Sequence, residues 1–415
     1  MSLSDFPLLN FYLSIMERKW LLVALANLLV ATCIGALLRF AFVAEVSWLH
    51  FKSFLHAHSH VAMLGWVYLA LAALLVPAFT SVSEAKRERY DLLYWATQVA
   101  VLGMFFSFPW QGYGPLSISF SVVHIICSYI FALWLWRAVP FQGELSVLFL
   151  RLGLGFMLLS TIAIWMMGPI MTTSWRGSIF YYMAVQFYLH FQFNGWFLFG
   201  ILALFFRYLE RQGFSLQTFP RRWFIGLLVS SCVLTYALAV AWGNPTWPVF
   251  FTNSVGVLLQ LTALFVFGYW FWPQRQLLLS RLSKVSRALL NIGFISFAGK
   301  ILMQSTVAVP LVAQAAYTIR NYVIGFIHLI LLGAVTAAIL SFAIHWRYLI
   351  ADSRASRVGL WLIFSGFVGS ELLLFLQGTM LWATLGFLPI YYELLFGISA
   401  LIPLGIAIFL IGQRQ

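Results

Sequence analysis

From Asn321 to Trp346 the chain reads NYVIGFIHLILLGAVTAAILSFAIHW, twenty-six residues without one Asp, Glu, Lys or Arg. At about 1.5 Å of rise per residue such a run makes a helix near 39 Å long, enough to cross the ~30 Å hydrocarbon core of a bilayer. In both directions along the chain, segments of about 20 or more mainly apolar residues recur. They lie at 20–43, 53–79, 91–109, 117–139, 147–171, 179–206, 223–243, 248–272, 286–311, 321–346, 357–382 and 390–411. These are numbered spans 1 to 12 below. They predict an all-α polytopic membrane protein of about twelve transmembrane helices.

Composition agrees. Of 415 residues, 63% are hydrophobic and 8% charged, too few charges for the polar exterior of a water-soluble fold of this length. The net charge of +13 would suggest nucleic acid in a soluble chain, but here the placement of the cations is what matters. The aromatic share of 18% suits lipid contact, interfacial belts and the walls of a large flat ligand alike. Cys33, Cys127 and Cys232 are isolated in apolar runs with no Cys-x-x-Cys. Covalent c-type heme attachment, a zinc knuckle and a disulfide framework are therefore unsupported. The start, Met1 to Trp20, is mixed and amphipathic, and the first long apolar run after it is of spanning length, which argues against a cleaved leader.

The cations test the count, because cytoplasmic loops carry the excess Lys and Arg. Loops after spans 2, 4, 6, 8 and 10 hold Lys86, Arg87 and Arg89; Arg137 and Arg151; Arg207, Arg211, Arg221 and Arg222; Arg275, Arg281, Lys284 and Arg287; and Arg347, Arg354 and Arg357. Arg18, Lys19 and Arg414 join them if both termini are cytoplasmic. The other face holds only Arg39, Lys52, Arg176 and Arg320, and Lys300 alone lies inside a span. The alternation has no exception, so both termini are expected on the cytoplasmic side, most naturally of a bacterial inner membrane. No linker or soluble appendage interrupts the chain, so residues 1–415 are expected to form a single transmembrane domain.

The histidines add a second pattern. Span 2 reads His60-Val-Ala-Met-Leu-Gly65-Trp66, span 6 reads His190-Phe-Gln-Phe-Asn-Gly195-Trp196, and span 10 reads His328-Leu-Ile-Leu-Leu-Gly333. Each is His-x4-Gly, 130 and then 138 residues after the last, four spans apart each time. Three pseudo-repeats of four helices would produce this spacing. In α-helical geometry the Gly lies about 140° around from its His, so its expected use is close approach of a neighbouring helix. With the topology above, His60, His190 and His328 lie in the outer half of the bilayer, with His124 of span 4 at similar depth.

Imidazoles at that depth are costly and usually face the bundle interior for a function, and neutral imidazole is the commonest metal ligand. Each has a bland alternative, a hydrogen bond to a neighbouring helix. Within His56-Ala-His58-Ser-His60, His56 and His60 share a face and His58 points elsewhere. His58 is read as structural, His56 is left open, and His345 and His50 are read as interfacial. Lys300 and Glu371 are the deepest charges: they pair, or one belongs to a proton path. Glu45, Asp91 and Glu393 fall near span ends and read as solvated. Asn194, Gln192 and Gln186 could orient His190.

These residues resemble the heme-copper oxidase subunit I superfamily, which includes the nitric oxide reductases and C-type oxidases. That fold has twelve helices in three arcs of four, and its low-spin heme is ligated by one His on the second helix and one on the tenth. Its tenth-helix motif, His-x-His-x4-Gly, corresponds here to Phe326-Ile327-His328 through Gly333, so the second His is present and the first, the high-spin heme ligand, is Phe326. Span 6 keeps His190, matching one copper ligand, while Phe224 to Trp242 holds no His where the family carries a His-His pair.

The resemblance therefore implies a divergent member with an incomplete catalytic centre. It implies a low-spin bis-His heme on His60 and His328, and copper or another metal ion as a second cofactor, with His190, His56 and His124 as further candidate ligands. Arg320, with Arg176 and Lys52, would meet the heme propionates. Two imidazoles leave iron no open position, so the chemistry would be electron transfer or structural. An oxidoreductase-like role with nitric oxide or oxygen follows by analogy. Beyond the lipid bilayer, other redox subunits or an electron donor are the implied partners; nucleic acid is not. The alternatives are a secondary transporter using midplane Lys300 and Glu371, which a parallel repeat fits less well than an inverted one, and a non-catalytic structural subunit.

Overall fold

A computed structural model describes residues 7–80 and 84–414, with side chains from Met16 to Thr80 and from Arg87 to Arg414. All regular structure among them is helical, and twelve helices are long and apolar enough to cross a membrane. They run Met16–Phe40, Phe51–Phe79, Arg87–Gln111, Pro115–Ala138, Leu145–Thr172, Ile179–Arg211, Arg221–Ala241, Trp247–Leu278, Lys284–Thr306, Arg320–His345, Arg354–Trp382 and Tyr391–Ile411. The spans read from sequence are thus recovered one for one. Span 8 runs six residues past its expected end, to Leu278, and span 9, expected to reach 311, stops short. It ends at Thr306, and a separate short helix follows at Pro310–Thr318. Pro310 has no backbone N–H to continue the ladder, but its fixed φ suits the first position of a new helix.

Residue contacts divide the chain into two compact units. The first comprises 1–140, 339–380 and 385–415; the second comprises 141–338 and 381–384. In the first, Trp20 stacks on Tyr94 with ring centroids 4.8 Å apart. Tyr94 donates its hydroxyl to the Trp20 carbonyl at 2.6 Å, and Trp20 Nε1 donates to Asp91 Oδ1 at 2.7 Å. Asp91 is therefore engaged with span 1 rather than simply solvated. Buried Glu17 is paired with Arg87. Spans 11 and 12 meet at glycines: a Cβ on Gly359 would come within 2.6 Å of the Gly405 carbonyl oxygen, and one on Gly405 within 2.7 Å of the Gly359 oxygen. Lipid supplies little hydrophobic drive between helices, so close backbone approach of this kind is a main source of packing energy. In the second unit the core is aromatic, with Phe149 stacked on Phe206 at 5.2 Å and Phe156 edge-on to Phe199 at 5.0 Å.

The regularity that matters for function sits inside spans 2, 6 and 10. Each changes from α to π geometry directly after its repeated histidine, at Val61–Tyr68, Phe191–Phe197 and Leu329–Thr336. Each stretch closes alike, the next residue donating its N–H three residues back: Leu69 to Trp66, Leu198 to Gly195 and Ala337 to Ala334. This corrects the expected geometry of the His-x4-Gly motif. In an i→i+5 ladder, residues five apart fall near one face, so the 140° separation read from an α-helix does not apply. The expected use of the glycine does hold at Gly65 and Gly195. A Cβ on Gly65 would meet Val101 Cγ1 at 2.8 Å and Asn27 Cβ at 3.1 Å, and one on Gly195 would meet Phe156 Cβ at 2.5 Å. The third repeat inverts the arrangement, with Gly293 of span 9 against the Ala334 carbonyl at 3.2 Å from its would-be Cβ. Asn27, Phe156 and Gly293 lie 129 and 137 residues apart, within one residue of the histidine spacing. The first helix of each repeat thus meets the second at an equivalent level.

Candidate functional site

In the first unit, span 2 brings three imidazoles to different uses. His60 donates Nδ1–H to the His56 carbonyl at 2.8 Å. A carbonyl can only accept, so this bond fixes the tautomer and leaves the Nε2 lone pair outward, the arrangement found behind metal-ligating histidines. The His60 ring lies 4.3 Å from Phe108, and the His56 ring is edge-on to Tyr113 at 4.6 Å. Phe108 and Tyr113 are themselves perpendicular at 5.1 Å, so span 3 and its following turn supply an aromatic wall to both imidazoles. His58 turns the other way. Its Nδ1–H donates to the Ala31 carbonyl of span 1 at 2.7 Å, and its ring occupies the space that a Cβ on Gly35 would need. That is the structural role read from its direction on the helix.

His124 of span 4 is buried, edge-on to Tyr68 at 4.8 Å. Its Nε2 has no hydrogen-bond partner among the described residues, and His60 lies within electrostatic reach. Glu371, also in this unit, is buried with Arg39 in electrostatic reach. His56, His60 and His124 are therefore drawn into one repeat of four helices, and Tyr113 and Tyr68 are the neighbours that sequence reasoning missed. Tyr113 sits in a Gly-Tyr-Gly turn just past span 3, a position with no periodicity to mark it.

In the second unit, His190 is held from both sides. Its Nε2–H donates to the Cys232 carbonyl of span 7 at 2.7 Å, and Asn194 Nδ2 faces its Nδ1 at 3.4 Å. Asn194 thus does orient His190, as expected. Gln192 instead donates to Ser160 Oγ at 2.8 Å. With both ring nitrogens engaged, His190 acts here as a tie between spans 6 and 7. Lys300 is fully buried, and its Nζ has no hydrogen-bond partner among the described residues. The Phe326 ring centroid lies 6.0 Å from Nζ, and His190 and Cys232 lie within its electrostatic reach. Phe326 and His328 follow Arg320 on the first, α-helical part of span 10, with His328 at the threshold of the π stretch. Arg320, Arg176 and Lys52 are exposed.

His60 belongs to the first unit and His328 to the second. Among the described residues no group of three or more His, Cys, Asp or Glu side chains is arranged to hold a metal ion. The tautomer of His60 fits axial ligation of a heme. Comparison of the chain with protein-family models and with curated proteins gives no match.

Proposed function

We propose that this chain is a heme-binding integral membrane protein derived from the heme-copper oxidase subunit I architecture, with His60 and His328 as the axial pair and no oxygen-reducing centre. On this reading it lies in a bacterial inner membrane with both termini cytoplasmic. It serves electron transfer, or a nitric oxide- or oxygen-related role, together with an electron donor or other redox subunits. The observation that carries the reading is the repeated device at His60, His190 and His328: a histidine at the mouth of a π stretch, with a glycine five residues on. Long π stretches are rare and cluster at functional sites. The choice of His328 as the partner of His60 rests on the sequence resemblance.

A bis-imidazole heme supplies outer-sphere electron transfer, having no vacant coordination position. The protein's own part is to hold His60 in one tautomer through the His56 carbonyl and to flank it with Phe108 and Tyr113. The test is an optical spectrum of the purified protein. Sharp reduced α and β bands, lost in His60→Ala and in His328→Ala but kept in His58→Ala, support the proposal; a colourless preparation rejects it.

One observation favours the transport reading, namely the buried Lys300 ammonium without a hydrogen-bond partner, since intramembrane cations mark substrate or proton sites. A heme-free protein whose proton-coupled uptake into vesicles disappears in Lys300→Met would establish it instead.

A further inference from the structure

At one end of the second unit, beside the start of span 7, lies a groove of about 680 Å³, within the size range of small-ligand sites. Its floor is built. Trp270 Nε1 donates to Thr218 Oγ1 at 3.3 Å, buried Phe219 stands edge-on to Trp270 at 4.8 Å, and Gln274 Nε2 donates to the Trp270 carbonyl at 2.8 Å. Its walls are Trp223, Phe265 and Tyr269, which are 74%, 65% and 88% exposed. Phe265 and Tyr269 lie one helical turn apart on span 8 and face the same way.

Cations stand beside the lining residues Pro220, Trp223 and Gln274 in sequence. Arg221 and Arg222 open span 7, whose first turn carries no acid, so their charges add to the positive end of the helix dipole. Next in sequence to Gln274, the Arg275 guanidinium carbon lies over the Trp272 ring, 3.9 Å from its centroid. Residues 141–338 contain only two acids, Glu144 and Glu210, and both are occupied. Glu210 accepts from the Ser146 backbone N–H at 3.0 Å and from its hydroxyl, and Glu144 accepts from the Gln142 N–H at 3.0 Å. Arg221 Nη1 donates to the Gly143 carbonyl at 3.4 Å, and among the described residues neither Arg221 nor Arg222 forms an ion pair.

We propose that this groove is a specific site for an anionic phospholipid, with an acyl chain along Phe265, Tyr269 and Trp223 and the phosphate on Arg221, Arg222 and the backbone N–H groups of Arg222 and Trp223; the Arg221 N–H is held by the Phe219 carbonyl at 2.7 Å. A long apolar chain attached to an anion matches both halves of the surface. A neutral lipid or quinol would leave the cationic half without a partner, and a free phosphate would leave the aromatic half empty. Basic clusters beside membrane helices recognise anionic headgroups in this way.

The test is native mass spectrometry of the intact protein in detergent, titrated with phosphatidylglycerol and with phosphatidylcholine of identical chains. Preference for phosphatidylglycerol is expected. It should weaken about thirtyfold in the double variant Arg221→Gln/Arg222→Gln and stay unchanged in Arg176→Gln. Trp223→Ala should weaken both lipids, and inorganic phosphate should not compete at concentrations matching the lipid. Equal binding of the two lipids, or retention of the preference in the double arginine variant, would overturn the proposal. So would phosphatidylglycerol binding insensitive to Trp223→Ala. Each variant is first checked for wild-type elution and helical content. The outcome does not depend on whether the protein holds a heme.

Discussion

Replacing Gly195 by alanine tests the packing of the repeated histidine motif. The added methyl would sit 2.5 Å from Phe156 Cβ and 2.7 Å from Phe156 Cγ. Both atoms lie at the root of the side chain, so a rotamer change cannot relieve the contact and span 5 must shift. Overpacking of this kind costs about 1–3 kcal/mol. Removing glycine from a helix interior returns about 0.5–1 kcal/mol, so the net expectation is a loss of up to roughly 2.5 kcal/mol. A control lies on the facing helix, where Gly155 has nothing within 4 Å of its would-be Cβ and is exposed. Gly155→Ala should stabilise by about 0.5–1 kcal/mol. Gly65→Ala, with its nearest contact at 2.8 Å to the Val101 methyl, and Gly293→Ala, at 3.2 Å to the Ala334 oxygen, should fall in between in that order. The assay is denaturant unfolding in mixed micelles, followed by tryptophan fluorescence. If Gly195→Ala is as stable as Gly155→Ala, the close contact of spans 5 and 6 at the π stretch is not there, and the common level of the three repeats goes with it.

Asn27 donates to the Gly65 carbonyl at 2.9 Å and exchanges two hydrogen bonds with Gln98, at 2.7 and 3.1 Å. Asn27→Leu should therefore cost about 1–3 kcal/mol by orphaning buried amide groups, and Asn27→Leu/Gln98→Leu should cost less than the two single variants together, as read by a double-mutant cycle. Lys300→Met should raise unfolding stability, because it replaces a buried cation lacking a hydrogen-bond partner with an apolar chain of similar volume; a destabilised variant would mean that Nζ has a partner in the membrane. Arg87→Met leaves buried Glu17 facing an apolar side chain, and a loss of about 3–5 kcal/mol is expected, reduced by the partial exposure of Arg87. Gly405→Leu should prevent spans 11 and 12 from meeting and show as loss of the monodisperse elution peak, whereas Gly397→Leu, in open space on the same span, should not.

The spans were legible because hydropathy and cation placement are summed over some twenty residues, and local detail averages out. The histidine repeat was legible because one motif, His-x4-Gly, recurs at three positions four spans apart. The change to π geometry at Val61, Phe191 and Leu329 was not, since one extra residue in a turn alters the period too little to register in an all-apolar segment. Pro310 went unread for a related reason: Ala308 to Val312 is apolar on both sides of it, so the end of one helix and the start of another look like a single run. The Asn27–Gln98 pair was passed over because neutral amides carry no charge to flag them, although buried amides must still find partners. His190 shows the reverse. Its type and position suggested a ligand, but which carbonyl its Nε2 would reach depended on where span 7 packs, and that is a tertiary fact.

The three π stretches also act as phase slips. Each inserts about one residue into its helix, so everything beyond Tyr68, Phe197 and Thr336 is rotated by roughly 100° from where an unbroken α-helix would carry it. The half of each span that holds the histidine and the half beyond are thereby indexed separately, and each can answer to different neighbours. Deleting a single residue from one stretch would leave hydropathy, length and composition almost untouched. It would nonetheless swing the imidazole to a new bearing relative to the rest of its own helix, an error that no span count could detect.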